Sequence, residues 1–270
     1  MDGFFLMDKA KGETSFDVIR RVRRDTGEKK VGHAGTLDPL ATGLLLVALG
    51  RGTKLLEYLI GCDKEYEVVG RFGYVSDSYD AEGEIVEVNP GVQCTQHEIE
   101  YEISQRFAGE IDQVPPKYSA LKINGKRAAD VMREGGDVEM KARKIKVDEF
   151  SVLDFNWPEV RFLVKCGSGT YVRSLIHDLG DNLGCGAYVI ELRRTRIDDF
   201  AQEGEVSLDE MGRRFLVREL LDEEFEGLKD GKVLLGKKVE QDGPVMAYYK
   251  DKLVGVLENV KGGIKYKKVI

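Results

Sequence analysis

Histidine and cysteine are scarce in this chain, three and four among 270 residues. Cys62, Cys94, Cys166 and Cys185 stand far apart with no C-x-x-C pair. With so few histidines beside them, they offer no metal site. Long apolar runs are also missing: none approaches the roughly 20 residues that cross a bilayer. The opening MDGFFLMDKAKG carries an acid at Asp2 and its first lysine only after the apolar residues. A secretory signal has the opposite order. A reduced, cytoplasmic protein is expected, with one large domain or one plus a small annex.

An excess of positive charge is absent too, since the formal net charge is −7. Its distribution matters more than its total. Residues 198–230 hold 12 acidic and 4 basic residues, a net of −8, so the rest of the chain carries +1. Within that rest, residues 9–33 hold 8 basic and 4 acidic residues, and 117–146 hold 9 and 4. The last ten, KGGIKYKKVI, hold 4 lysines and no acid. Such patches suit either a solvated surface or a polyanion.

The periodicities divide the chain. GFFLMD reads as a strand, and Ser15 as the cap of a helix, FDVIRRVRRDTG, that Gly27 ends. Val18, Ile19 and Val22 share one arc of it, and four arginines the other. GLLLVALG is continuously apolar, as a strand buried on both faces would be. A helix is expected from about Thr53 to Ile60, then strands KEYEVVGRFGY and GEIVEV. Thr95 and Glu98 form a capping box for the helix that follows. Residues 112–146, with two prolines, an Asn-Gly turn and many lysines, read as an excursion from a sheet. Strands IKVDEFSVLDF and EVRFLVKC resume. The helix TYVRSLIHDLGDNLG carries a stripe of Val172, Leu175, Ile176, Leu179 and Leu183, and AYVIELRRTRI returns as a strand. The acidic 198–230 segment reads as helical, and the last forty residues as a small all-β annex.

Several residues suggest chemistry. Asp38 precedes Pro39, which biases it away from helix. A carboxylate on such a turn is a nucleophile, a general base or merely a cap on neighbouring amides. Arg173 falls in the first turn of its helix, where a cation opposes the macrodipole unless a carboxylate meets it. Asp38 is one candidate partner, and the pair would keep that Asp ionised. GSGT ahead of this helix resembles an anion nest without a full G-x-G-x-x-G. Tyr66 and Tyr171 offer faces for stacking on unpaired bases or for ordinary core packing. His33 is equally a functional or a structural histidine.

Taken together, the motifs carry a resemblance. GHAGTLDPLATGLLLVALGRGTK closely resembles the signature of the tRNA pseudouridine-55 synthases of the bacterial TruB family. LMDKAKGETSFDVI, DKEYEV, SDSYDAEGEI, VPPKYSALKINGKRA and GTYVRSLIHDLGDNLGCGAYVIELRRTRI look like family blocks in family order. The resemblance implies an α+β protein with the pseudouridine synthase fold. That means a large mixed, mostly antiparallel sheet flanked by helices, over residues 1–228, with a thumb-like RNA-binding insertion at about 112–146. A short PUA-like all-β domain would occupy 229–270. It implies Asp38 as the catalytic aspartate and Tyr66 as the tyrosine stacked on the target base, also a candidate proton acceptor. Tyr171 and Arg173 match the second active-site tyrosine and the arginine paired with the aspartate. Leu192 matches the apolar wall of the base pocket, His33 an RNA contact during flipping, and Asp80 another acid near the site. Lys9 matches a family lysine expected among the substrate-binding residues, with Ala10 where the family has proline. The implied reaction isomerises the T-loop uridine of tRNA, with tRNA bound through its T-arm. It needs no cofactor, metal, membrane or obligatory protein partner, and a monomer is expected. The alternatives are a synthase acting on another RNA and a tRNA-binding or tRNA-folding protein.

Overall fold

The strand Thr42–Leu49 organises the fold. Its alternate side chains enter two separate cores, as a period of two requires. Leu44, Leu46 and Ala48 pack with Phe4, Leu6 and Leu55. Leu45, Val47 and Leu49 pack with Val18, Ile19 and Val22 of the basic helix. The computed structural model describes residues 1–89, 91–239 and 243–270.

Among the described residues nine strands form the main sheet. In spatial order they are Gly204–Val206, Gly3–Lys9, Thr42–Leu49, Ala187–Ile197, Lys64–Phe72, Glu159–Cys166, Arg143–Asn156 and Gly109–Gln113. Val31–Ala34 pairs on Thr42–Leu49 off this path. All neighbours are antiparallel except Thr42–Leu49 with Ala187–Ile197, where Thr42 and Gly43 meet Arg193 and Arg194 in parallel. A Cβ at Gly43 would lie 2.2 Å from the Arg194 carbonyl oxygen, and its φ is +97°. Only glycine fits that approach.

The helix Ser15–Thr26 ends at a left-handed Gly27, and Val18, Ile19 and Val22 are its buried arc. Its cap is Thr14 rather than Ser15, because Thr14 and Asp17 complete a capping box. Ser15 is buried in the first turn, where its hydroxyl has another use. The expected helix from Thr53 begins as a 3-10 turn, Gly50–Leu55, before Leu56–Leu59. Thr95 and Glu98 cap Gln96–Arg106 as read.

The acidic 198–230 segment is not one helical stretch. Gly204–Val206 pairs with the N-terminal strand, and only Leu208–Gly212 and Asp222–Lys229 are helices. Leu216–Glu219 joins a second sheet of five strands with Val245–Tyr249, Lys252–Val260, Gly263–Val269 and Leu234–Leu235. This all-β annex therefore draws on residues ahead of 229. The part of the annex reading that falls on 240–242 lies outside the described residues. Met246, Tyr248, Leu253 and Ile270 share a core with Phe4, Leu6 and Leu46, so the annex is packed onto the main sheet.

The excursion leaves the sheet after Gly109–Gln113 and rejoins it at Arg143–Asn156. Between them Lys122–Ile123 pairs with Lys126–Arg127. Asn124 and Gly125 turn that hairpin with φ of +51° and +86°, the Asn-Gly signature of a primed turn. Among the described residues no helix is long and apolar enough to cross a membrane.

Candidate active site

The segment 35–41 links the strands Val31–Ala34 and Thr42–Leu49, and it is bolted down from several sides. Leu37, Leu40 and Ala41 sink into the core beside Tyr66 and Leu175. The Leu37 N–H donates to Ser15 Oγ at 2.9 Å, and that hydroxyl donates to the Leu37 carbonyl at 3.0 Å. Gly12 N–H donates to the Pro39 carbonyl at 2.8 Å. Asp38 is left at the surface of a rigid turn, its side chain one third exposed.

Lys9 belongs to this support. It is wholly buried, and its ammonium donates to the carbonyls of Ala10, Glu13 and Pro39 at 3.0, 2.5 and 3.3 Å. The resemblance suggested substrate binding for Lys9. A fully buried ammonium already shared among three carbonyls is instead a brace for the Asp38 turn. Lys9→Met should cost about 1–3 kcal/mol, because those carbonyls lose a buried donor. Urea unfolding read beside the rate of product formation checks this, and an unchanged midpoint would contradict the brace.

Arg173, in the first turn of the helix Val172–Asn182, meets two carboxylates. Its Nη2 lies 2.9 Å from Asp38 Oδ2, and its Nη1 lies 2.9 Å from Asp80 Oδ2. Nη1 also donates to the Ser78 carbonyl at 2.6 Å and Nη2 to that of Tyr118 at 3.0 Å. Arg173 and Asp80 are each only 3% exposed, so the open end of this network is Asp38. Burial pushes the Asp38 carboxyl above its ordinary range; Arg173 opposes that rise and the charge of Asp80 adds to it. The arginine alone would hold Asp38 charged, as the sequence suggested. One guanidinium shared by two carboxylates does not offset the desolvation.

Two clefts meet at this pair. One, of about 320 Å³, is lined by Asp38, Tyr66, Tyr171, Arg173, Leu192 and Arg194 among others. The other, of about 730 Å³, also reaches Asp38 and Arg173 and is lined by His33, Phe16, Asp80, Tyr118 and Arg127. Both fall within the size range of small-ligand sites. Tyr66 is nearly buried on its strand; desolvation raises its phenol, with the charge of Arg194 opposing. Burial lowers the His33 imidazole, helped by Arg194. Tyr171 is held by a buried glutamine: its N–H donates to Gln113 Oε1 at 2.8 Å, and Gln113 Nε2 donates to its carbonyl at 2.9 Å. Arg143 lies over the Tyr171 ring, 4.9 Å from the centroid. The structure thus brings Asp38, Tyr66, Tyr171, Arg173 and Leu192 around one cleft, puts His33 on the adjoining one, and places Asp80 behind Arg173.

Sequence reasoning missed Arg194, Gln113 and Arg143. Arg194 is 1% exposed, donates to the carbonyls of Leu44 at 2.7 Å and Gly35 at 3.1 Å, and makes no ion pair among the described residues. Its strand alternates, so Leu192 and Arg194 face one side, between exposed Glu191 and Arg193. That parity was the available signal. Gln113 and Arg143 left none, because the contacts of Gln113 with Tyr171 and of Arg143 with the Gly169 carbonyl cross 58 and 26 residues of sequence.

Residues 23–172 match the profile of the TruB family pseudouridylate synthase N-terminal domain. The chain belongs to the TruB family. Residues 173–234 match that of the tRNA pseudouridylate synthase B C-terminal domain. This TruB family chain is 39% identical to the tRNA pseudouridine synthase B of Aquifex aeolicus over 283 residues, covering 98% of this chain and 97% of the relative. It is 36% identical to that of Clostridium tetani over 289 residues, covering 100% of both. With that of Opitutus terrae it shares 44% over 209 residues, 77% of this chain and 86% of the other. A Cbf5 chain in a Cbf5-Nop10-Gar1 complex has the same fold, with a TM-score of 0.74 at 23% identity over 99% of this chain and 84% of that one. TruB family members are pseudouridine synthases, so this chain is an isomerase with the pseudouridine synthase fold.

Proposed function

We propose that this enzyme converts the T-loop uridine of tRNA, uridine-55, to pseudouridine with Asp38 as nucleophile. One observation carries the reading: a buried guanidinium, Arg173, holds Asp38, the one carboxylate among the described residues that line the smaller cleft, beside the walls made by Tyr66 and Leu192. Relatives of matching length named tRNA pseudouridine synthase B supply the substrate class.

The reaction breaks the N1–C1′ bond, turns the uracil and rejoins it through C5; C5 gives up its proton and N1 takes one up, so atoms and electrons balance without a co-reactant. An ionised Asp38 supplies the electron pair at C1′ or at C6, or assists glycal formation. A uridine must first leave its stack, at a cost of a few kcal/mol. Stacking on Tyr66 would return about 1–3 kcal/mol of this. A phenol pushed upward is a poor base near neutrality, so Tyr66 enters as a stacking face. His33, Tyr171 and Leu192 bound the space around the extruded nucleotide. The arginines of Ser15–Thr26, the lysine-rich thumb-like excursion and the basic C-terminal strands contact phosphates, and the annex from 229 acts as a PUA-like module. The enzyme acts in the cytoplasm as a monomer, without an obligatory partner.

Incubation with an unmodified tRNA transcript, followed by chemical mapping, is expected to find pseudouridine at the T-loop uridine. No product on correctly folded RNA would sink this reading. Binding should weaken linearly on a log–log plot against salt, and salt-independent affinity would contradict the phosphate contacts.

A further inference from the structure

We propose that Tyr79 and His177 form a stacked clamp that positions Ser78 and Asp80 on Arg173, making both of them positioning residues for the isomerisation. The inference rests on Asp38 being the reacting carboxylate.

Tyr79 has a φ of +64°, in the left-handed region that bulky side chains rarely adopt. It stands between the two residues that receive Arg173 Nη1, the Ser78 carbonyl at 2.6 Å and the Asp80 carboxylate at 2.9 Å. The left-handed turn is what lets successive acceptors converge on one nitrogen. Glycine would make that turn without strain, so the backbone alone gives no reason for a tyrosine. The ring supplies the reason. It lies on the imidazole of His177 with centroids 3.7 Å apart and planes 11° from parallel.

His177 follows Arg173 by four residues on the same helix, so both project from one face. The contacts therefore close a loop, from the helix through Arg173 to Ser78 and Asp80, then through Tyr79 and His177 back to the helix. The Tyr79 carbonyl, accepting from Val189 N–H at 3.0 Å, ties the loop to the sheet. Charged neighbours are Asp181, 3.4 Å from His177 Nε2, and Asp178, Asp181 and Lys117, whose charges act on Tyr79. Neither ring lines the clefts at Asp38, so their part in the reaction runs through Arg173. Without the stack, Asp80 is free to drift and Arg173 to follow it away from Asp38.

Steady-state kinetics on a tRNA transcript test the clamp, using Tyr79→Gly, Tyr79→Phe, His177→Ala and the double variant. Tyr79→Gly relieves strain but removes the ring. It is expected to lower kcat by roughly 10-fold to 100-fold, the usual penalty for misplacement near an ångström, with KM within about 2-fold. Tyr79→Phe should restore kcat, and the double variant should be no worse than the worse single one, because both lose the same stack. Wild-type kcat in Tyr79→Gly, a change confined to KM, or additive losses would overturn it. A second readout is the exchange of the Arg173 guanidinium protons by NMR, protected in the wild type and exposed in Tyr79→Gly. An inactive wild type with that same loss of protection would sink the reaction reading and keep the clamp. Unchanged protection would sink the clamp alone.

Discussion

Asp38→Asn is expected to lower pseudouridine formation at least ~10³-fold, as loss of a nucleophile does, while leaving the protein no less stable. The amide keeps the shape of the carboxylate but not its charge, and is a far weaker nucleophile. The stability half follows from the upward shift of Asp38. A group whose folded pKa exceeds its unfolded value contributes stability that is fully present below the unfolded pKa. That stability is lost as pH rises through the folded pKa. At neutral pH the Asp38 charge therefore opposes folding, and asparagine removes that opposition. Thermal melts at pH 8 should place the variant at or above wild type, with the gap closing in acid. A wild-type rate in single turnover would overturn the nucleophile, and a clear loss of stability at pH 8 would overturn the cost of the charge. The same shift sets the acid limb of kcat above the ordinary carboxylate value of 3.8, with activity falling as pH falls through it.

Arg173→Met should have the largest effect on folding. It leaves Asp80, 3% exposed, and Asp38 facing each other without the cation between them. Breaking a buried ion pair from one side costs about 3–5 kcal/mol. Relief comes when one carboxylate takes a proton, so any remaining activity should need higher pH than the wild type. Arg173→Lys should recover only part of the loss, because a point charge cannot span two carboxylates and two carbonyls as a planar fork does. Urea unfolding and a pH–rate profile check both halves. A midpoint shift worth under about 1 kcal/mol would mean that Arg173 does not hold this network together.

What could be read from the sequence was what is local in it. The helix Ser15–Thr26, its Gly27 end and the doubly buried Thr42–Leu49 follow from spacing within a dozen residues. Asp38, Tyr66, Tyr171, Arg173 and Leu192 were legible as a set only through the family-like blocks around them. As single residues each had an ordinary alternative. The acidic segment misled because its charges resemble a solvated helix. Pairing of Gly204–Val206 with the N-terminal strand and of Leu216–Glu219 with Val245–Tyr249 overrides that local preference. Arg194 was passed over among the arginines of its strand, although the alternation of that strand turns it inward. Lys9 resembled a substrate contact because a lone lysine carries no sign of the three carbonyls that enclose it.

The two-faced burial of Thr42–Leu49 has a consequence for how the site comes apart. A strand shared by two cores cannot exchange its amides through a local opening that leaves either core standing. The turn bearing Asp38 continues into that strand and is pinned through Leu37 to the first turn of the basic helix. The opposite wall, around Tyr118 and Ala120, hangs from the excursion, with its short hairpin and six-residue helix. Opening free energy is therefore graded across a single cleft, near the global value at the nucleophile and low at the facing wall. Gentle heat or denaturant should dissolve the grip on RNA first, and the last feature to lose its shape should be the turn that does the chemistry.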